Sequence, residues 1–269
     1  MDGALIDAVG TRHEPASDPR IVSLVPSLTE LLFELGLAEG LVGRTHYCVH
    51  PKAAVAAVTS VGGTKKFKLE RLVRLAPSHV VVNVDENVKE EIEAIREALP
   101  EVAVVVSHPL EPTDNLGLYR LLGGIFGVQE RAEELCRQLE AALEAVARET
   151  WLQKSVLYLI WRDPWMTISR DTYASRLLAL VGWRTLGHDA DRRYPEVSID
   201  AELLARTDLV LLPSEPFEFT AEHRDAFVRD HPAVAQPLLL DGEMVSWYGS
   251  RAIQGVEYLA ALAKRCGAG

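Results

Sequence analysis

The sequence predicts an α/β protein of two similar lobes, each with a mostly parallel sheet, bridged by one long helix. Short Val-rich apolar runs alternate with amphipathic segments, which is typical of parallel strands covered by helices on both faces. Residues 129–151 contain neither Gly nor Pro, and the alternation resumes beyond them. The chain has 269 residues, of which 48% are hydrophobic, and this length accommodates two medium-sized domains.

The first half of the chain alternates strands with helices from residue 21 onward. Strands are predicted at residues 21–25, 41–45, 80–84 and 102–106. Helices are predicted from Ser27 to Gly36 and at residues 68–76 and 88–98. Ser27 and Glu30 have the spacing of a capping box, so Ser27 is expected to cap the first of these helices.

A long helix separates the two halves, because residues 129–151 are rich in strong helix formers. At ~1.5 Å per residue they predict a rod of about 35 Å, which would act as a rigid connector. Beyond the rod, strands are predicted at residues 156–161, 209–212 and 238–240, and helices at residues 173–181, 200–206, 221–228 and 251–265. We therefore expect an N-terminal lobe at 1–110, a connecting region with the helix at 111–152 and a C-terminal lobe at 153–269.

Charge and composition exclude several functional classes. The 28 basic and 39 acidic side chains leave a formal net charge of −11, which argues against nucleic acid as a partner. The aliphatic runs are of strand length, far below the ~20 residues that a spanning helix needs, so the chain is not expected to span a membrane. Three cysteines without a CxxC pair predict no structural disulfide. The first residues lack a signal-peptide pattern, so either the protein is cytoplasmic or an export signal is missing.

Residues 46–50 carry the candidate metal ligands His46, Cys48 and His50. Alternate positions of an extended strand project to one face, where two imidazoles and a thiol suit a soft metal. The spacing offers no fourth ligand of the kind that structural zinc sites use. The alternative interpretation is a polar loop with one buried cysteine.

Aromatic residues gather at predicted strand ends and loops rather than on helix stripes. They are Tyr47, Trp161, Trp165, Tyr194, Phe217, Phe219, Trp247 and Tyr248. Ligands of open parallel sheets bind outside the carboxyl ends of the strands, so this group suits a binding mouth. For any single ring, core packing is the alternative.

The sequence predicts no enzyme. It lacks a GxSxG elbow, a GxxxxGK[ST] loop and a GxGxxG fingerprint. Glu215 follows a predicted strand at its carboxyl end and is expected to face a cleft, and Arg251 is similarly placed. No nucleophile and base pair is evident at the level of the sequence.

Several stretches resemble the substrate-binding proteins of cobalamin and iron-siderophore ABC importers, above all their cobalamin-binding branch. The similar stretches are residues 20–30, 41–43, 61–63 and 69–71 together with 43–51 and 247–251. The layout of the family extends over about residues 4–265. The resemblance implies two Rossmann-like lobes joined by a single helix, with the ligand in the cleft between them and an ABC transporter permease as partner.

By this resemblance the ligand is cobalamin or another corrinoid, and no cofactor is required. The ligand-binding residues that the resemblance implies are Tyr47, Trp165, Tyr194, Trp247, Tyr248 and Arg251; Glu215 joins them because of its predicted position at a strand end, where Glu215 or Arg251 would meet the polar edge of the ligand. Thr64 stands where the family has an aromatic residue. Glu70 in the first lobe and Glu202 in the second, with Asp200 as the alternative, are implied to dock onto the permease.

Two alternative functions remain open at the level of the sequence. One is a receptor for a metal ion or an iron siderophore, in which Cys48 and His50 are the candidate metal ligands. The other is a cytoplasmic corrinoid-handling protein on the same scaffold. The resemblance implies a monomer in the periplasm or at the cell surface, whereas the absence of a signal pattern leaves the cytoplasm open.

Overall fold

A computed structural model describes residues 4–232 and 237–267, and the chain divides into two compact units. Unit 1 consists of the chain up to Pro109 together with Thr113–Leu139 and Tyr248–Arg251. Unit 2 consists of Leu110–Pro112, Glu140–Trp247 and the chain from Ala252 onward. Each unit is an α/β structure with a mostly parallel sheet, which confirms the predicted fold class.

Unit 1 is built on a parallel five-stranded sheet in the order β5-β4-β3-β6-β7. A separate antiparallel pair, β1 and β2, precedes this sheet in the chain. The strands are β1 Leu5–Ile6, β2 Arg12–His13, β3 Ile21–Ser23, β4 Leu41–Thr45, β5 Thr59–Gly62, β6 His79–Asn83 and β7 Ala103–Ser107. All five residues of β6 are buried, as expected for an interior strand covered on both faces.

The helices of unit 1 connect the parallel strands and extend beyond β7. They are α1 Pro26–Glu34, α2 Lys52–Val55, α3 Leu69–Arg74, α4 Lys89–Ala98 and α5 Asp114–Ile125, followed by α6 Gln129–Ala147. Leu72 of α3 and Ile95 of α4 are fully buried in one apolar cluster with strand residues such as Val80. The division between the units falls inside α6.

The β1–β2 hairpin is attached to the edge strand β7 through a buried carboxylate. Asp7 accepts hydrogen bonds from the backbone N–H groups of Val106 at 3.1 Å and Thr11 at 2.8 Å, and its Oδ2 lies 3.2 Å from Nε2 of His13. The N–H of Ala8 donates to the carbonyl of Val106 at 3.0 Å. The outer edge of β7 is therefore occupied at Val106, which lessens the exposure of an unpaired strand edge.

Unit 2 has the strand order β10-β8-β11-β12, all parallel, with β9 antiparallel to β8. Its strands are β8 Lys154–Trp161, β9 Met166–Thr167, β10 Trp183–Thr185, β11 Leu209–Pro213 and β12 Leu238–Leu240. Its helices are α7 Tyr173–Ala179, α8 Ala201–Ala205, α9 Ala221–Asp230, α10 Gly242–Ser246 and α11 Arg251–Gly267. Leu157, Val210 and Phe227 are buried members of its apolar cluster.

Two local predictions are wrong. Ser27 does not cap α1, because the helix begins one residue earlier at Pro26, with Val25 at the N-cap, and Glu30 instead pairs with Arg251. The long helix α6 ends at Ala147 rather than near residue 151, so its length is about 28 Å at 1.5 Å per residue. The indole N–H of Trp151 donates to the carbonyl of Val146 at 2.9 Å and satisfies one of its last carbonyls.

Candidate functional site

Apolar side chains are exposed where the parallel strands of unit 1 end. Tyr47 and Val49 follow β4 and are 57% and 46% exposed, and Val84 follows β6 and is 45% exposed. The carboxyl ends of parallel strands meet at one edge of a sheet, where α/β proteins bind their ligands. Exposed apolar side chains at that edge therefore form the candidate surface of unit 1.

The segment after β4 separates its exposed and buried side chains by position. The rings of His46 and Tyr47 lie at the surface with centroids 4.1 Å apart. Cys48 is buried, and its thiol contacts the hydroxyls of Thr29 at 3.0 Å and Thr45 at 3.1 Å. Burial raises the pKa of the Cys48 thiol, while these hydrogen bonds oppose the increase.

Metal binding at this segment keeps the status of a prediction. Within residues 4–232 and 237–267, no group of three or more His, Cys, Asp or Glu residues is arranged to hold a metal ion. A thiol with a raised pKa is a poor ligand because metals bind the thiolate. The geometry around Cys48 matches the alternative interpretation, a polar loop with one buried cysteine.

Unit 2 exposes one aromatic side chain at the carboxyl edge of its sheet and another in a loop beside β9. Trp161 is the last residue of β8 and is 43% exposed, with its ring edge-on to Phe217 at 5.5 Å. Tyr194 is 45% exposed. The carbonyls on either side of it, of Arg193 and Pro195, accept backbone N–H groups next to β9, which fixes the position of this loop.

Trp165 lies deeper than Trp161, within an aromatic cluster. Its ring stacks on Phe219 at 6.1 Å with an interplanar angle of 10° and meets Phe227 edge-on at 5.7 Å. The guanidinium of Arg162 lies 5.9 Å from the ring centroid. Trp165 is only half-buried, so it packs in the core of unit 2 and also reaches the surface.

Glu215 follows β11 at the carboxyl end and is held by α10 and the residue after it. Its Oε1 accepts a hydrogen bond from the hydroxyl of Ser246 at 3.0 Å and another from the indole N–H of Trp247. Burial raises the pKa of the Glu215 carboxyl, and these two hydrogen bonds oppose the increase. The structure therefore brings two predicted site residues, Glu215 and Trp247, into direct contact.

Residues 248–251 belong to unit 1, although the chain on both sides of them belongs to unit 2. The guanidinium of Arg251 forms two hydrogen bonds with the carboxylate of Glu30, at 2.8 and 2.6 Å. The hydroxyl of Tyr248 donates to Oε1 of Glu86 at 2.6 Å. Burial and the nearby Glu86 charge raise the pKa of Tyr248 well above its ordinary value.

Gly249 is at the centre of this segment. Its N–H donates to the side chain of Asn115 at 2.6 Å, and its carbonyl accepts the hydroxyl of Tyr119 at 2.8 Å. Its φ of +79° favours glycine, and an added Cβ would lie 3.1 Å from the carbonyl oxygen of Ser27. The predicted ligand contacts of Tyr248 and Arg251 remain predictions, while the contacts described here hold the segment in place.

The predicted docking residues lie on short helices. Glu70 is exposed in the first turn of α3, and Glu202 is exposed in the first turn of α8. Asp200 is the N-cap of α8, and its Oδ1 accepts the N–H of Leu203 at 2.8 Å. Asp200 thus caps the helix, while Oε1 of Glu202 lies 3.8 Å from the Arg206 guanidinium, and docking by either residue remains a prediction.

Trp161 was not among the predicted ligand-binding residues, although the structure exposes it at the end of β8. It was one of the aromatic residues noted at strand ends, but the resemblance pointed to Trp165 instead. The sequence signal for its exposure was its position as the last residue of a buried strand. Side chains alternate between the two faces of the sheet only as far as the strand extends.

Thr64 stands where the family has an aromatic residue. Its backbone carbonyl accepts a hydrogen bond from the side-chain NH₂ group of Asn87 at 2.9 Å.

Comparison with known proteins defines the class to which this fold and surface belong. The sequence profile of the periplasmic binding protein family matches residues 21–236. An uncharacterized ABC transporter substrate-binding lipoprotein of Bacillus subtilis, YvrC, is 24% identical over 274 residues, which cover 97% of this chain and 83% of that protein. A vitamin B12-binding protein of Vibrio campbellii is 26% identical over 199 residues, 72% of this chain and 70% of that protein.

Solved structures show the same fold. The periplasmic vitamin B12 binding protein BtuF of Vibrio cholerae aligns with a TM-score of 0.78 at 19% identity, covering 93% of this chain and 98% of that chain. The periplasmic heme-binding protein RhuT from Roseiflexus sp. RS-1, in apo form, aligns with a TM-score of 0.76 at 24% identity, covering 91% and 97%.

The chain belongs to the periplasmic binding protein family, which confirms the family that the sequence motifs indicated. Its class is that of a substrate receptor for ABC importers. Across the part of the chain that the structure describes, no helix has both the length and the apolar composition needed to cross a membrane.

Proposed function

We propose that this receptor binds cobalamin or a related corrinoid and delivers it to the permease of an ABC importer. The observation that carries the proposal is the exposure of three aromatic rings: Tyr47 after β4 in unit 1, Trp161 at the end of β8 in unit 2, and Tyr194 in the loop before α8. Aromatic rings bury large flat ligands with little loss of rotamer entropy, so they suit the apolar faces of a macrocycle. Relatives described as vitamin B12-binding proteins support the same ligand.

Titration with cyanocobalamin, followed by calorimetry and by the visible absorbance of the corrin, tests this ligand. We expect one site of micromolar or tighter affinity. The same titration with haem tests the competing ligand class, since the fold is shared with heme-binding proteins. Saturable binding of haem without any binding of cyanocobalamin would overturn the corrinoid assignment and leave the receptor class intact.

Substitution of exposed aromatic residues tests the surface. Trp161→Ala and Tyr47→Ala should each weaken cyanocobalamin binding about tenfold or more, because an aromatic contact contributes on the order of 1.5 kcal/mol or more. Leu152→Ala is the matched control, since Leu152 is 61% exposed but lies before β8, at its amino end. If Trp161→Ala and Tyr47→Ala both bind cyanocobalamin as tightly as Leu152→Ala does, the ligand contacts neither ring.

We further propose that Glu70 and Glu202 contact the permease, one from each unit, and that the receptor works in the periplasm or at the cell surface. Glu70→Lys and Glu202→Lys should abolish stimulation of the reconstituted transporter's ATPase activity without changing ligand affinity. Glu93→Lys on α4, another exposed acid of unit 1, is the control. Unchanged stimulation by both variants would remove the docking assignment.

A further inference from the structure

Glu215 lies at the part of unit 2 where an aromatic ring is exposed. Strands β8 and β11 are parallel neighbours, with Leu211 opposite Tyr158. Beyond this pair both strands run on in the same direction, β8 to Trp161 and β11 to Pro213, and Glu215 follows two residues later. Phe217, two residues further on, contacts the Trp161 ring. Trp161 and Glu215 therefore lie at the same, carboxyl end of two neighbouring strands, where a ligand that packs on the Trp161 ring would be bound.

The position of Glu215 is fixed from several sides. An added Cβ on Gly242 would lie 2.7 Å from the backbone nitrogen and 2.8 Å from the Cγ of Glu215, so α10 can approach this closely only with glycine there. The N–H of Gly242 donates to the hydroxyl of Ser214 at 2.9 Å. The side chain is thus held before any ligand arrives, which lowers the entropy lost on binding.

The two oxygens of the Glu215 carboxylate have different surroundings. Within the described residues, both hydrogen bonds to the carboxylate, from Ser246 and Trp247, end on Oε1. Oε2 accepts no hydrogen bond from any residue that the structure describes. One oxygen therefore orients the group, and the other remains an acceptor for an external donor.

The charges around Glu215 are of its own sign. Asp241 and Glu243 contribute to its electrostatic environment, and both disfavour additional negative charge there. A ligand group with an N–H or O–H can donate a hydrogen bond to Oε2 without adding negative charge. A second carboxylate brought to the same place would meet like charge without a donor, which is destabilising.

We infer that Glu215 is a specificity-determining residue that selects macrocycles whose periphery carries carboxamides over those whose periphery carries carboxylates. The inference rests on the proposed function, since it requires that a corrinoid binds at this edge of unit 2. A carboxamide N–H of the ligand donates to Oε2. A site built around a polar group rejects analogues that leave that group without its partner.

The test compares two ligands of nearly equal shape. They are cyanocobalamin and its monocarboxylic acid derivatives, in each of which one peripheral carboxamide is hydrolysed to a carboxylate. The unaltered protein should bind cyanocobalamin about tenfold or more tightly than at least one of these isomers, because a hydrogen bond to a charged group contributes about 1.5 kcal/mol or more. The ratio of the two dissociation constants is the quantity measured.

Glu215→Gln should reduce that ratio to about one or below, since the Gln oxygen still accepts from Ser246 and Trp247 while its NH₂ group can donate to a ligand carboxylate. Glu218→Gln, at an exposed acid three residues further on, should leave the ratio unchanged. If Glu215→Gln does not fold, Glu215→Ala tests the same loss of charge. Equal ratios in the unaltered protein and the Glu215 variant, for every isomer, would overturn the inference. Failure of the unaltered protein to bind cyanocobalamin would instead overturn the proposed function, and with it this inference.

Discussion

The carboxyl edges of the two sheets use their charged residues differently. In unit 1, Glu30 and Glu86 bind Arg251 and Tyr248 and thereby hold residues 248–251. In unit 2, both hydrogen bonds that Glu215 receives from the described residues end on one of its two carboxylate oxygens. The carboxyl edges of both sheets expose aromatic side chains, but the glutamates near them have different hydrogen-bond partners. Two acids of unit 1 hold a chain segment in place, whereas the half-buried acid of unit 2 is itself the group that is held.

The largest expected effect is on the buried ion pair of unit 1. Arg251→Ala should lower the free energy of unfolding by about 3–5 kcal/mol, because it leaves the Glu30 carboxylate without its cation. The side chains of Arg251 and Glu30 are 8% and 17% exposed. Denaturant unfolding followed by circular dichroism measures the change.

Arg120→Ala is the matched control, because Arg120 makes the same two-pronged contact with Glu133 but both side chains are close to half exposed. Its loss should cost less than about 1 kcal/mol, since solvent screens exposed pairs. Equal losses for the two variants would mean that the burial of the Arg251 pair has no energetic consequence, which would contradict the structural role given to residues 248–251.

A second comparison lies within unit 2, between two tryptophans. Trp165→Ala should destabilise the protein by about 3 kcal/mol, because its ring packs on Phe219 and Phe227. Trp161→Ala should change stability by less than about 1 kcal/mol and act on ligand affinity instead, because Trp161 is exposed. Thermal unfolding and titration of both variants separate the two effects. A large loss of stability for Trp161→Ala, together with a loss of affinity alone for Trp165→Ala, would show that Trp161 is the packing residue and Trp165 the ligand contact.

Tyr248→Phe tests the other contact that holds residues 248–251. We expect a loss of about 2 kcal/mol, because the variant removes the donor to Glu86 from a buried position. Tyr47→Phe, at an exposed tyrosine of the same unit, should change stability by less than about 0.5 kcal/mol. Denaturant midpoints at equal slope measure both. A Tyr248→Phe variant as stable as the unaltered protein would show that the 248–251 segment is held without this hydrogen bond.

The smallest expected effect is the pH dependence contributed by Glu215. Because its pKa is raised in the folded state, the folded protein holds this proton at pH values where the unfolded chain has released it. Stability therefore falls as pH rises from the ordinary pKa of a glutamate to the raised one. The Glu215→Gln variant should lack this decrease. Across that pH window, the unfolding free energy of the variant should therefore rise relative to that of the unaltered protein. Parallel stability curves for the two proteins would show that burial does not raise this pKa.

Local sequence patterns were sufficient to predict most regular elements. The Val-rich runs became β6 and β7, and the strands at 41–45 and 238–240 have the predicted bounds. Short elements such as α2, β5 and β10 were not predicted, because segments of three or four residues carry too few positions to show a period. The missed helix α5 contains three glycines, which hid a buried apolar face.

Part of the candidate site was also accessible from the sequence. Tyr47, Tyr194 and Glu215 lie at strand ends or in loops as expected, because a strand followed by a loop can be read locally. The partners of these residues were not accessible. Arg251 and Glu30 are 221 positions apart, and Tyr248 and Glu86 are 162 apart, and no local pattern reports such pairs.

The sequence by itself determined the alternation of strands and helices, the parallel sheets and the family, since these depend on apolar spacing and on contiguous motifs. Only the tertiary structure decided which acids form hydrogen bonds through both carboxylate oxygens and which, among the described residues, through one. It also decided that Trp161 is more exposed than Trp165 and that Cys48 is buried. The physical reason is that burial and hydrogen-bond partners arise from elements distant in the chain, whose approach no local pattern encodes.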